Sequence, residues 1–330
     1  MKSPEYPTIT SIAHPNIAFI KYWGNRDDKL RLPCNSSLSC NLAGLETRTS
    51  VRFDPSLTTD RFTLAGERIE GPALARVSGF LNIVREIAGR PHYAEVSSAN
   101  NFPAGAGIAS SASAFAALAL AASTAIGLNL EEKELSGLAR RGSGSASRSI
   151  PSGFVEWQAG TGDADSYAFS IASADYWELV DLVCVLDTSH KSVGSTGGHA
   201  LAHTSPLQAL RQLHVTERLN LCRKAILERD FELFSMVVEE DSNLMHAVMR
   251  TSSPPLVYWL PETEVILWTV KEWRNQGKAV CTTVDAGPNV HVLTLKQDVP
   301  WALAQLKQLP GVRQILQTQV GQGARLLPSE

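Results

Sequence analysis

The chain of 330 residues is short of cysteine, of net charge and of long apolar runs, and each shortage closes a class of function. Its five cysteines (Cys34, Cys40, Cys184, Cys222 and Cys281) are scattered, odd in number and never arranged as C-x-x-C. Neither a disulfide framework nor a zinc site is indicated, which fits a reducing cytoplasmic setting. The eight histidines show no metal-ligand spacing, and His246, on a predicted helix, reads as a packed core residue. Net charge is −3, so no bulk basic field invites nucleic acid or an anionic membrane. Any phosphate site must be built locally. The opening M-K-S-P-E-Y-P-T has no apolar run, so no secretory leader is expected. The longest apolar segment, Ala112 to Leu128, is alanine-rich and interrupted by Ser and Thr, so it reads as a buried helix and not a membrane span.

What is present begins with N-F-P-A-G-A-G-I-A-S-S-A-S, from Asn101 to Ser113. Pro103, Gly105 and Gly107 cannot propagate a helix, whereas the Ala/Leu run after them starts one near Ala109 or Ser110. A glycine-rich loop feeding a helix N-terminus suits an anion, because free N–H groups and the dipole face it. It equally suits a tight turn that lets a helix pack closely. No G-K-[ST] follows, so it is not a Walker loop, and there is no third glycine for a dinucleotide fingerprint.

Length allows two domains, with a division placed at 1–190 and 191–330. Strands are predicted at 7–20, broken near His14-Pro15, then within 47–70, at 93–98 and at 181–187. Helices are predicted at 73–88, 131–141, 206–250 (two, parted near Arg229-Asp230) and 262–275. A closing pattern of strands at 279–284, 290–294 and 312–318 with a helix at 301–306 suggests a split-βαβ sandwich. The stretch K-Y-W-G-N-R-D-D-K-L-R-L-P-C-N-S-S-L-S-C-N-L after Ile20 reads either as a site loop or as a surface hairpin with one packed Trp.

Four Gly/Ser-rich segments recur, at 103–113, 142–148, 194–198 and 285–289, which suits a ligand with several phosphates. Asp285, at a strand end before A-G-P-N, suits either proton transfer from a substrate hydroxyl or an Asx-turn. Arg148, within a Gly/Ser loop, suits bidentate carboxylate or phosphate binding, or plain solvation.

Together these motifs resemble the mevalonate diphosphate decarboxylases of the GHMP kinase superfamily. P-A-G-A-G-I-A-S-S-A-S (Pro103 to Ser113) is similar to the superfamily phosphate loop. N-I-A-F-I-K-Y-W-G (Asn16 to Gly24), N-S-S-L-S (Asn35 to Ser39) and G-S-G-S-A-S-R-S (Gly142 to Ser149) with G-F-V-E-W (Gly153 to Trp157) mark the decarboxylase branch. So do M-H-A (Met245 to Ala247) with Pro254-Pro255, and D-A-G-P-N (Asp285 to Asn289).

The resemblance implies an α+β chain with the GHMP kinase fold: an N-terminal ribosomal-protein-like βαβ domain and a C-terminal ferredoxin-like α/β sandwich. It implies ATP-dependent decarboxylation, in which the tertiary 3-hydroxyl of a 5-phosphorylated mevalonate is phosphorylated and phosphate and carbon dioxide then depart. By similarity Asp285 orients or deprotonates the hydroxyl, Arg148 holds the carboxylate with Asn16 bracing it, and Lys21 neutralises charge. Tyr22, Asn25, Ser143, Gly144 and Ser145 take the 5-phosphate end. Pro103, Gly105, Gly107, Ala109, Ser110 and Ser111 cradle ATP, with Ser111 near Mg2+. A homodimer is implied, with no nucleic acid or membrane partner.

Two departures stand out. P-S-G-F (Pro151 to Phe154) replaces the family's Y-G-G-F. Asn25 stands where the family has a lysine that reaches the terminal phosphate of the diphosphate tail. Losing that cation favours 5-phosphomevalonate as substrate and isopentenyl phosphate as product, with 5-diphosphomevalonate as the alternative. Arg26 and Lys191 are the candidates for replacing the charge. A kinase that stops at the 3-phosphate shares the fold, and carbon dioxide release separates the two.

Overall fold

The structure, a computed structural model, describes residues 6–103, 110–187 and 193–328. The first strands are β1 (Ile9–Ala13), β2 (Asn16–Ile20), β3 (Asn25–Asp27), β4 (Leu32–Pro33) and β5 (Ser37–Asn41). Next come β6 (Thr47–Asp54), β7 (Arg61–Leu64), β8 (Glu67–Ile69), α1 (Gly71–Ala88) and β9 (Tyr93–Asn100). Helices α2 (Ser110–Ala125) and α3 (Glu132–Gly142) lead to a 3-10 turn, Gly144–Ser149, and to β10 (Phe154–Trp157), β11 (Ala168–Ala172) and β12 (Leu179–Val185). The chain continues through α4 (Ser195–Leu201), α5 (Gln208–Glu228), α6 (Phe231–Thr251) and α7 (Pro261–Asn275). It closes with β13 (Val280–Thr283), β14 (Val290–Leu295), α8 (Val299–Leu306), β15 (Gln314–Gln319) and β16 (Arg325–Leu326).

The first sheet has the order β16-β1-β6-β9-β7-β8. β6 and β9 alternate buried and exposed positions, so one face is wet and the other carries Val51, Phe53, Ala94 and Val96 into a core with α1, α2 and α3. α2 is apolar nearly all round, as a buried helix must be. Ala116, Ala117, Ala119, Ala121 and Ala122 are fully buried, and their small side chains let α2 lie close on the sheet. The hydroxyl of Ser11 on β1 donates to the Ala117 carbonyl at 2.7 Å.

The second sheet is β11-β10-β5-β2, and the third is β13-β14-β12-β15. The third has the antiparallel split-βαβ order expected from the last third of the sequence. It takes β12 from before residue 190. α5 and α6 fill the space between the second and third sheets, where Ile17, Phe19, Leu38, Val183, Phe234 and Leu293 share one core. α7 and α8 cover the other face of the third sheet.

Two features depart from the sequence reading. The strand expected to be last is not last: after β15 the chain crosses back and β16 pairs antiparallel with β1, Ser11 opposite Leu326. The polar stretch after Ile20 is a hairpin only in part: β3 and β4 pair, but Lys21, Tyr22 and Trp23 before them are all buried. Further along the same polar region β5 is a fully buried central strand in which Leu38 and Cys40 alternate with Ser37, Ser39 and Asn41. Both of its faces are covered, and two of its three polar residues make hydrogen bonds: Asn41 Nδ2 donates to the Pro151 carbonyl at 2.7 Å, and Ser37 Oγ accepts from Arg148 at 2.6 Å, while the buried Ser39 hydroxyl has no partner among the described residues.

Candidate active site

The site begins where β2 ends. Lys21 is 1% exposed, and its main chain is held on both sides. Its N–H donates to Asp241 Oδ2 at 2.6 Å, and its carbonyl accepts from Asn35 Nδ2 at 2.9 Å and Arg211 Nη2 at 2.8 Å. Asp241, on α6, also accepts from Arg218 Nε at 2.9 Å and Arg211 Nη2 at 3.2 Å. A buried carboxylate with two arginine partners is therefore spent on fixing one lysine backbone. The Lys21 ammonium emerges to meet Asp285 Oδ1 at 2.6 Å.

Asp285 follows β13 in a tight turn, with the Gly287 N–H donating to its own carbonyl at 2.7 Å. The turn alternative was thus half right: the backbone turns, but the carboxylate turns outward and keeps 26% exposure. Burial works against its ionisation, but Lys21, His291 and Arg148 outweigh that and hold its pKa below the ordinary carboxylate value. Burial lowers the Lys21 pKa, with Asp285 opposing the shift. His246 is the core residue expected, with Nε2 3.1 Å from the Val284 carbonyl.

Arg148 comes from the 3-10 turn and is 3% exposed, not solvated. Its Nε and Nη2 donate to Asn16 Oδ1 at 3.3 and 3.1 Å, and its Nη1 donates to Ser37 Oγ. Asn16 Nδ2 in turn donates to the Ser145 carbonyl at 3.0 Å and to Ser149 Oγ at 2.8 Å. All these contacts are neutral. Burial lowers the Arg148 pKa to about 10, so it remains a cation at neutral pH, and among the described residues no carboxylate contacts it. A buried guanidinium braced only by neutral groups is a receptor for an incoming anion.

These groups open on a cavity of 330 Å³. Of the residues expected at the site, Lys21, Tyr22, Ser110, Ser111, Ser143, Gly144, Ser145, Arg148 and Asp285 line it. Asn16 lies behind Arg148 and does not line it. Asn25 does not line it either: its Oδ1 accepts from the Tyr22 hydroxyl, and its Nδ2 donates to Asp28 Oδ1 at 2.9 Å. Arg26 is directed elsewhere, to the carbonyls of Pro33, Ala159 and Gly160. Pro103 is half-buried and off the wall. Gly105, Gly107, Ala109 and Lys191 lie outside the described residues.

Tyr22 packs on Trp157 with ring centroids 4.8 Å apart and stacks on His199 at 4.1 Å. Gly144 makes this possible, since a Cβ there would fall 2.5 Å from the Tyr22 ring. Ser111, at the first turn of α2, lies 3.2 Å from Ser143 through the two hydroxyls, so the helix N-terminus and the 142–148 segment meet at one wall. Among the described residues no cluster of three or more His, Cys, Asp or Glu forms a cage for a metal. Magnesium does not require one, since it commonly binds through one or two carboxylates and substrate phosphates.

Sequence reasoning missed three side chains on the wall: Arg31, Arg76 and His199. His199 Nδ1 accepts from the Gly24 N–H at 2.9 Å, which puts the ring proton on Nε2. Burial, then the nearby arginines Arg31, Arg148 and Arg211, push its pKa well below the ordinary value. The wall carries the cations Lys21, Arg31, Arg76 and Arg148 against the single carboxylate of Asp285. That imbalance suits a polyanionic ligand.

The chain is similar to known proteins over most of its length. Residues 13–168 match the family described as diphosphomevalonate decarboxylase-like N-terminal domain, and residues 181–325 match the mevalonate 5-diphosphate decarboxylase C-terminal domain. A diphosphomevalonate decarboxylase from Ganoderma lucidum is 39% identical over 88% of this chain and 79% of its own. A phosphomevalonate decarboxylase from Haloferax volcanii is 32% identical over 88% of this chain and 89% of its own. The crystal structure of mevalonate diphosphate decarboxylase from Staphylococcus aureus superposes with a TM-score of 0.93 at 39% identity, covering 97% of this chain and 98% of that one. A structure described as MDDEF in complex with MVAPP, AMPPCP and magnesium superposes with a TM-score of 0.91 at 37% identity, covering 98% and 99%. The α+β architecture is the two-domain GHMP kinase fold that the sequence motifs imply. The chain belongs to the diphosphomevalonate decarboxylase family, and it is a decarboxylase.

Proposed function

We propose that this chain converts 5-diphosphomevalonate and ATP to isopentenyl diphosphate, ADP, phosphate and carbon dioxide, with Mg2+ as cofactor. One observation carries the choice of the diphosphate over the monophosphate: the wall beside Tyr22 and Ser143–Ser145 still presents a cation, Arg31, although Asn25 has none. The names of most similar proteins point the same way. The 5-phosphomevalonate reading rests on Asn25 and on the Haloferax relative.

ATP is assigned to the α2 N-terminus, where Ser110 and Ser111 border the cavity. Ser111 would be the side chain to hold Mg2+, which would supply positive charge against the phosphates there. Asp285 faces the substrate 3-hydroxyl. Its depressed pKa makes it a weak base, so its first task is orientation. The proton passes to it as phosphoryl transfer makes that oxygen acidic. Lys21 offsets the negative charge that gathers on the transferred group. Arg148 holds the carboxylate. When the C3–O bond breaks, phosphate takes its electron pair; the C1–C2 pair then becomes the C2–C3 double bond, and C1 leaves as carbon dioxide.

The test compares kcat/KM for 5-diphosphomevalonate and 5-phosphomevalonate on one preparation. A higher value for the diphosphate is expected. A higher value for the monophosphate overturns this choice and returns the argument to Asn25.

A further inference from the structure

We infer that Arg31 supplies the cation for the terminal phosphate of the substrate's tail, taking over the task of the lysine that Asn25 replaces. The inference rests on the substrate being a 5-phosphorylated mevalonate.

Position 25 is occupied internally. Both polar atoms of the Asn25 amide are engaged, one by the Tyr22 hydroxyl and one by Asp28, and the side chain does not reach the cavity. Arg26 is held by three main-chain carbonyls away from it. Arg31 is different. It closes the turn between β3 and β4, where Asn25 pairs with Pro33 and Asp27 with Leu32. Its φ of 50° is left-handed, which a side chain adopts only at a cost. A glycine would adopt that turn freely, so the arginine is tolerated at a position where backbone geometry alone favours its absence.

The side chain is also aimed. Nε donates to the Arg141 carbonyl at 3.2 Å, in the last turn of α3, where a cation meets the negative end of the helix dipole. Among the described residues neither Nη atom makes a hydrogen bond and no carboxylate pairs with the guanidinium. The fork therefore stands on the cavity wall with Tyr22, Ser143, Gly144 and Ser145, its two outer nitrogens free to take phosphate oxygens. The Arg31 charge favours ionisation of Tyr22 and opposes protonation of His199, in keeping with its place on the wall beside them.

The experiment measures KM for 5-diphosphomevalonate and for 5-phosphomevalonate in wild type, Arg31→Gln, Arg31→Lys and Arg31→Gln with Asn25→Lys. The readout is the ratio of the two KM values. Arg31→Gln is expected to shift the ratio against the diphosphate by roughly ten-fold or more, the weight of one charge-assisted phosphate contact. Any general loss of activity falls on both substrates alike and cancels in the ratio. Arg31→Lys keeps the charge but not the fork, so it is expected to shift the ratio less than Arg31→Gln does. Asn25→Lys in the Arg31→Gln background is expected to recover the ratio. An unchanged ratio in Arg31→Gln overturns the inference, as does an equal rise in both KM values or a loss in Arg31→Lys as large as in Arg31→Gln. Failure of Asn25→Lys to restore the ratio overturns the exchange of roles between the two positions. The wild-type preference tests the substrate reading separately, because the shift in ratio is read whichever substrate wild type prefers.

Discussion

Single residues at this site carry distinct and separable tasks. Asp285 is exposed only toward the cavity and is fixed by Lys21 at 2.6 Å. Asp285→Asn keeps the shape and removes the charge, so kcat is expected to fall about 10²- to 10⁴-fold while substrate binding persists. Single-turnover rates alongside equilibrium binding check this, and near-normal turnover would remove Asp285 from the mechanism. Arg148 has a different signature. Because its partners in the structure are all neutral, Arg148→Gln leaves Asn16 and Ser37 able to re-pair, and the loss falls on the substrate carboxylate. A drop of roughly 10²- to 10³-fold in kcat is expected. Unchanged turnover in Arg148→Gln would show that the carboxylate sits elsewhere. These two residues were legible in the sequence through the motifs that hold them, D-A-G-P-N and G-S-G-S-A-S-R-S. Arg31 and His199 were not. Each lies in a turn or short helix with no flanking pattern, and each reaches the wall only because β3, β4 and α4 fold over Tyr22 and Trp23.

At the scale of elements, the site is held by contacts between parts far apart in the chain. β2 presents Lys21, but α5 and α6 fix it through Arg211, Arg218 and Asp241. Removing Asp241 strands two buried guanidinium groups and frees the Lys21 N–H. Asp241→Ala is expected to cost about 3–5 kcal/mol of stability, read by urea unfolding. A loss under about 1 kcal/mol would mean that the clamp is not structural. The α5 and α6 helices were legible from apolar spacing and a break at Arg229-Asp230, where Arg229 caps α5 with a left-handed φ of 56°. The clamp was not legible, since Arg and Asp on a helix normally face water. β5 was hidden for the converse reason: its period-two pattern is only five residues long, and its polar members, Ser37, Ser39 and Asn41, are buried like its apolar ones, so the segment reads as a polar loop. β16 was hidden because two residues carry no pattern, and its place is fixed by pairing with β1.

For the whole molecule, the cavity lies where the end of β2, the α2 N-terminus, the 3-10 turn at Gly144–Ser149 and the turn after β13 converge, so activity should report on charges from distant parts of the chain together. Lys21 has a depressed pKa, through burial. In the window between its folded value and the ordinary 10.5 the unfolded chain holds the extra proton, so this residue makes stability rise with pH there. Catalysis runs the other way, because the mechanism needs the ammonium. The alkaline limb of kcat is therefore expected below pH 10.5, and Lys21→Gln is expected to show a low rate without that limb. Asp285 is depressed as well, so its contribution to stability is present above the unfolded value of 3.8 and is lost as pH falls through the lower folded value. An alkaline limb that persists unchanged in Lys21→Gln would assign it to another group.

The most direct measurement follows ADP and carbon dioxide from the same reaction of purified protein with 5-diphosphomevalonate, ATP and Mg2+. Equal amounts of ADP and carbon dioxide are expected at every time point after the first turnover. ADP released with a phosphorylated product and no carbon dioxide would contradict decarboxylation and leave a kinase.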